Sequence, residues 1–198
     1  MEMGRYEKFF LNTKIHRKKV AEHAESLFKQ VPVKEGQRYL EVGCGNGAAA
    51  IHIARKYSLQ VIGIDVDPEQ IRCAREGAGE SASIRFYVCD ATNLPFEDED
   101  FDVVSTFGVM HHVANWINAF SEMRRVLKSG GHLIFFDFVY SRWIAQMARL
   151  MFRRYGFPSR EDVSTFAAEK GFTTLYTSFS RSICMHKFEA VYRLDRPE

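Results

Sequence analysis

The sequence predicts an α/β chain built on an open, mostly parallel sheet, and three observations carry that expectation. An apolar run that ends in a carboxylate leads straight into three glycines, Tyr39-Leu-Glu-Val-Gly-Cys-Gly-Asn-Gly47. A second apolar run, Gln60 to Asp65, also ends in a carboxylate, about twenty residues beyond the glycines. Short apolar strands then alternate with helical patterns along the rest of the chain, as a parallel sheet requires.

In chain order, Met1 to Leu11 carries Tyr6, Phe9 and Phe10, and Asn12 or Thr13 can cap a helix running to about Gln30. Val20, Ala24, Leu27 and Phe28 share one face of that helix. Lys14, Lys18, Glu22, Glu25 and Lys29 share the other, with Lys18–Glu22 and Glu25–Lys29 at ion-pair spacing. Residues 1–30 are read as a helical cap. After the first strand, Ala48 to Tyr57 reads as a helix; after the second, Pro68 starts a helix through about Glu76 that Gly77-Ala-Gly79 ends. Ser83 to Val88 is a third strand that delivers Asp90, and Pro95 to Asp100 is an acidic, solvated turn without the glycine of a calcium loop. Phe101 to Ser105 is a fourth strand. Ala114 to Leu127 is a helix with Trp116, Ile117, Phe120, Met123 and Leu127 facing the sheet, and Gly131 to Phe138 is the fifth strand. Ser159 caps a helix to about Lys170, before final strands at Phe172–Ser180 and Met185–Leu194.

At 198 residues, 46% hydrophobic and 26% charged, the chain fits one domain, 1–198, with a substantial core. A net charge of +2 excludes a strongly basic global surface, so no nucleic acid is expected as a partner. Cys44, Cys73, Cys89 and Cys184 lack paired metal-ligand spacing, which points to reduced thiols in a cytoplasm and to no metal. Glu2, Arg5, Glu7 and Lys8 lack the layout of a signal peptide, and the apolar run Leu133–Tyr140, interrupted by Asp137, falls short of a membrane span. The expectation is a soluble, cytoplasmic protein, with peripheral membrane contact left open.

The first strand's end forms a cradle between a strand and a helix N-terminus, the usual nucleotide position in an open α/β sheet. Asp65, at the tip of the neighbouring strand, can accept hydrogen bonds from both hydroxyls of a ribose. Two ligands fit, a dinucleotide or S-adenosylmethionine. Glu41 separates them by charge: it would repel a pyrophosphate and attract an ammonium and a sulfonium. A nicotinamide-dependent oxidoreductase stays as an alternative because Gly43-x-Gly45-x-x-Ala48 loosely fits that fingerprint. A non-catalytic S-adenosylmethionine-binding sensor or partner protein is the other.

At this point the sequence resembles the class I S-adenosylmethionine-dependent methyltransferases, nearest to the small-molecule branch that includes ubiquinone and menaquinone biosynthesis enzymes. Glu41-Val-Gly-Cys-Gly-Asn-Gly47, Asp65, Cys89-Asp-Ala91, Phe101-Asp-Val-Val104 with Val109-Met-His-His-Val113, and Arg125-Val-Leu-Lys-Ser-Gly-Gly131 follow the family's motif order from about Gln37 to Phe138. The resemblance implies a Rossmann-like, seven-stranded, mostly parallel sheet with helices on both faces, closed by a C-terminal antiparallel hairpin. It implies cofactor contacts from Glu41, Gly43, Cys44, Gly45, Asn46, Gly47, Asp65, Val66, Asp90, Ala91 and Phe107, the last through its carbonyl. It implies in-line methyl transfer to a small-molecule acceptor, releasing S-adenosylhomocysteine.

The acceptor is read as hydrophobic or lipid-like because Tyr6, Phe9, Phe10, Tyr140, Trp143 and Phe157 can line an entrance. His112, Tyr140 and Trp143 are the acceptor-side candidates, and the sequence leaves open whether His111 or His112 serves as a base. The segment 141–157 is a basic amphipathic helix, with Arg142, Gln146, Arg149 and Arg153 opposite Trp143, Ile144, Met147, Leu150 and Met151. It reads either as an ordinary cover whose apolar face packs inward, or as a helix on an anionic membrane surface. Oligomeric state, methylated atom and pathway are open.

Overall fold

The structure, a computed structural model, describes residues 13–152, 155–181 and 186–195. The aromatic residues Tyr6, Phe9 and Phe10 of the expected cap, and Arg153 on the expected basic face, lie outside the described residues. Seven strands form one mixed sheet in the order β3-β2-β1-β4-β5-β7-β6. The last two strands run antiparallel, as expected, and the chain packs as two compact units that divide between Ala91 and Thr92.

The first unit holds α1 (Lys14–Phe28), β1 (Arg38–Val42), α2 (Ala48–Tyr57), β2 (Gln60–Asp65), α3 (Pro68–Ala78) and β3 (Ile84–Val88). Thr13 caps α1 by accepting from the His16 amide. Ala24, Leu27 and Phe28 are buried, with the Phe28 ring edge-on to Tyr39 at 4.9 Å, whereas Val20 is only half-buried. Both expected ion pairs of α1 form, and Glu25 also binds His52 and Lys56 of α2 at 2.7 Å each. Hydrogen bonds from Lys56, His52 and Lys29 pull its carboxyl down to about 2. Asp67 and Pro68 start α3, which runs to Ala78, beyond the expected stop near Glu76. The strands pair in parallel, with Glu41 opposite Gly63 and Asp65 opposite Val88, so three carboxyl ends emerge side by side.

The second unit holds β4 (Phe101–Phe107), a 3-10 turn (Met110–His112), α4 (Trp116–Val126), β5 (Leu127–Val139), α5 (Arg142–Met151), α6 (Arg160–Glu169), β6 (Phe172–Ser180) and β7 (His186–Leu194). Trp116, Phe120, Phe135, Phe166 and Phe188 form its aromatic core. Ile117, expected on the sheet-facing stripe, is 49% exposed because the buried stripe of α4 is Trp116, Ala119, Phe120 and Met123. Strand β5 starts at Leu127, ahead of the expected Gly131. Leu127 pairs with Phe101 and His132 with Val103, so Lys128–Gly131 is a bulge within the strand rather than a turn before it.

Helix α5 departs most from expectation. It ends at Met151, not near Phe157, and Arg149 leaves the basic face: it donates to the Phe157 carbonyl at 3.1 and 2.8 Å and pairs with Asp162. Ala145 faces inward at 1% exposure, while Trp143, Met147, Leu150 and Met151 face out. The reading as an ordinary cover with its apolar face packed inward is therefore corrected. Ala145 and Arg149 seat the helix and Ile144 is half-buried, whereas Trp143, Met147, Leu150 and Met151 stay outside.

Candidate functional site

In the first unit, the chain leaves β1 at Val42 and turns through Gly43, Cys44, Gly45, Asn46 and Gly47 into α2. The Gly43 and Cys44 amides both donate to the Ile64 carbonyl at 2.8 Å, fastening the loop to the end of β2. Gly47 has φ 72°, and a Cβ there would stand 2.7 Å from the Phe86 ring, so both conformation and space demand glycine. The Asn46 side chain accepts from the Ala48 amide at 3.2 Å and starts the helix.

Asp65 has two tasks. One oxygen accepts from the Gly45 amide and the other from the Asp67 amide, each at 2.9 Å, so the carboxylate staples the glycine loop to the α3 cap. Each oxygen retains a second lone pair for a ligand hydroxyl. Burial raises its pKa against the pull of those two amides. Val66, immediately after it, is 50% exposed and offers an apolar platform at the strand tip. Ala91 is half-buried and Asp90 exposed beyond the end of β3.

Glu41 is 2% exposed and sits under the first turn of α2, where the Ala50 amide donates to its carboxyl. Its Oε2 has no hydrogen-bond partner. Desolvation, with the Asp65 charge added, pushes its pKa up to about 8. Burial likewise holds the Cys44 thiol well above its ordinary range. Sequence reasoning missed Gln70. Its side chain is wholly buried and neither amide atom has a partner, while Oε1 lies 3.8 Å from where a Gly45 Cβ would project. The available signal was a polar residue on the buried stripe of α3 with Ile71 and Ala74. Buried amides without partners are rare and call for a ligand or a water.

The second unit gathers His111 and His112 with aromatic residues. β4 ends at Phe107, half-buried and paired with Phe136, and Gly108 turns the chain into the histidine turn. Asp137, fully buried on β5, organises that turn. Its Oδ2 accepts from the Met110 and His111 amides at 2.5 and 3.3 Å, and its Oδ1 accepts from the Phe138 amide and from His111 Nδ1 at 2.6 and 2.5 Å. A carboxylate so placed requires the proton on Nδ1, which leaves Nε2 of His111 as the acceptor. The sequence showed Asp137 only as an interruption in an apolar run.

The His112 ring lies 3.9 Å from that of His111, tilted by 41°, and 6.3 Å from the Tyr155 ring. Gly156 donates to the His111 carbonyl, and a Cβ there would fall 2.4 Å from the Val113 carbonyl, so glycine alone lets this segment close on the turn. Tyr140 packs on Phe157 at 5.1 Å, and burial followed by the Asp137 charge raises its phenol pKa. The structure thus places His112 and Tyr140 in one aromatic and imidazole cluster. Trp143 is not part of it: at 70% exposure it stands on the outer face of α5.

The chain is similar to known proteins in sequence and in fold. Residues 40–135 match the family described as a methyltransferase domain. Norajmaline N-methyltransferase of Rauvolfia serpentina is 33% identical over 112 residues, 55% of this chain and 38% of that protein. The chain thus spans less than half of that relative's length. Among solved structures, the [4+2]-cyclase SpnF superposes with a TM-score of 0.77 at 20% identity, covering 91% of this chain and 82% of that one. Geranyl diphosphate methyltransferase in complex with S-adenosylmethionine gives 0.75 at 15% identity, covering 92% of each chain. The fold is that of the class I methyltransferases.

Proposed function

We propose that this chain is an S-adenosylmethionine-dependent methyltransferase acting on a small, hydrophobic or lipid-like acceptor. The observation that carries the reading is the polar lining of the glycine cradle: the partnerless Glu41 Oε2, the partnerless Gln70 amide, and the Asp65 carboxylate at the tip of β2. Asp65 and Gln70 suit the hydroxyls and polar edges of an adenosine. Glu41 suits a cation, because an approaching positive charge favours its ionised form and recovers part of the desolvation cost. A pyrophosphate recovers nothing there, which disfavours the nicotinamide alternative.

Gly43, Cys44, Gly45, Asn46, Gly47, Val66, Asp90 and Ala91 complete the proposed cofactor contacts, and the relative solved with S-adenosylmethionine has the same fold. When bound, that cofactor supplies an electrophilic methyl group on a sulfonium. The chain's own contribution is to bind, align and exclude water, and alignment alone can lower a barrier by ~7–11 kcal/mol. For a phenol, hydroxyl or protonated amine, His111 Nε2 is the proposed proton acceptor, with Asp137 fixing its tautomer and steadying the imidazolium. The proposed acceptor class, a quinol ring or lipid head group, rests on the aromatic residues Tyr140, Tyr155 and Phe157 around the histidines. No described helix is long and apolar enough to cross a membrane.

The cyclase neighbour shows that this fold also serves chemistry other than methyl transfer. Melting curves with S-adenosylhomocysteine and with NAD, followed by a search for labelled methyl groups in lipid and quinone extracts, test the reading. Stabilisation by S-adenosylhomocysteine and a labelled product support it. Stabilisation by NAD alone overturns it, and cofactor binding without any labelled product favours a non-methylating protein.

A further inference from the structure

We propose that the exposed face of α5 docks on an anionic lipid bilayer. This goes beyond methyl transfer and does not depend on it. The 10-residue helix presents Trp143, Met147, Leu150 and Met151 outward, at 70, 57, 77 and 71% exposure. These side chains cannot simply roll inward. The opposite face is held by Ala145, by Arg149 on the Phe157 carbonyl and Asp162, and by Phe152 against the Phe157 ring.

Of the arginines placed near this face, Arg149 pairs with Asp162 and Arg160 with Glu161, which leaves the Arg142 guanidinium beside it. From Phe138 to Arg160 the sequence contains Arg142, Arg149, Arg153, Arg154 and Arg160 and no aspartate or glutamate. Arg142 is exposed and forms no ion pair among the described residues. An indole and three flexible apolar side chains beside arginine form the pattern of a helix lying in the headgroup region, apolar face at the acyl boundary and guanidinium on lipid phosphate.

Two features favour a bilayer over a second copy of the chain. A two-fold contact would press this face onto its equivalent and set arginine against arginine. One face of a helix about 15 Å long also covers far less than the ~800 Å² per partner of a stable protein interface.

The chain's two tryptophans make the test specific. Trp116 is buried at 4% exposure and gives a constant background, whereas Trp143 reports on the surface. The full chain is titrated with vesicles of phosphatidylcholine alone and mixed with phosphatidylglycerol, following tryptophan emission and flotation. The expected result is a blue shift and flotation with the mixed vesicles, weakened by salt, with the shift absent in Trp143→Phe. Met147→Gln with Leu150→Gln should lower vesicle affinity at least tenfold at unchanged melting temperature, and Arg142→Gln should lower it about fivefold. Failure to shift or float, equal flotation of the double variant, or shielding of Trp143 by dimers without vesicles overturns the proposal. S-adenosylhomocysteine stabilisation in the same samples reads the methyltransferase proposal separately.

Discussion

Replacing Glu41 by glutamine isolates what a buried carboxyl in the cradle costs and what it is for. In the native protein its pKa stands at about 8 against an ordinary 4.5, and burial is the main cause. Below pH 4.5 both native and unfolded chains hold the proton, and the site carries no penalty. Between pH 4.5 and 8 the unfolded chain releases it while the native chain keeps it, so stability falls by about 1.4 kcal/mol per pH unit. At pH 7 the accumulated penalty is on the order of 3 kcal/mol. Glutamine matches the neutral acid in shape and does not titrate, so Glu41→Gln should gain on the wild type as pH rises. Urea denaturation between pH 5 and 8 measures the gap, which should widen at about that slope. Asp65 also titrates upward, but it is present in both proteins. The same substitution should weaken S-adenosylmethionine binding. At pH 7, binding to the wild type should release about one proton from this site, seen by calorimetry in buffers of different ionisation enthalpy. A stability gap independent of pH would refute the reasoning.

Three further substitutions separate binding from structure. Gln70→Leu removes two buried polar atoms that lack partners; it should raise the stability of the unliganded protein by about 1–3 kcal/mol while weakening cofactor binding roughly tenfold. Asp137→Asn sets an amide against donors that need an acceptor and should destabilise the chain by on the order of 2–4 kcal/mol in urea. His111→Gln should leave stability nearly unchanged and lower kcat by about 10²-fold or more for a hydroxyl acceptor, because a positioned base contributes that much. Equal losses of stability in the two variants would reduce His111 to a packing residue.

The cradle was legible because its parts are local. A carboxylate ending an apolar run, glycines after it and an acid about twenty residues on are constrained by one βαβ unit, and the structure sets their strands side by side. Gln70 escaped notice because a polar residue on a helix stripe looks like a surface residue until its burial is known. Asp137 escaped because its partners lie far away in the chain, on the Met110–His112 turn. The start of β5 was misplaced because glycines in a bulge resemble glycines in a turn. Helix α5 was recognised as amphipathic, but periodicity ranks faces by hydrophobicity. It could not show that Ala145 and Arg149 would take the inner face.

The central claim, that Asp65 and the glycine loop hold S-adenosylmethionine, is tested most directly by titrating the cofactor into the wild type and Asp65→Ala by calorimetry, with circular dichroism confirming that both are folded. The wild type should bind at micromolar concentration and the variant tenfold or more weakly, ~1.4 kcal/mol. A folded wild type that binds no S-adenosylmethionine, or a variant that binds it equally well, would contradict it.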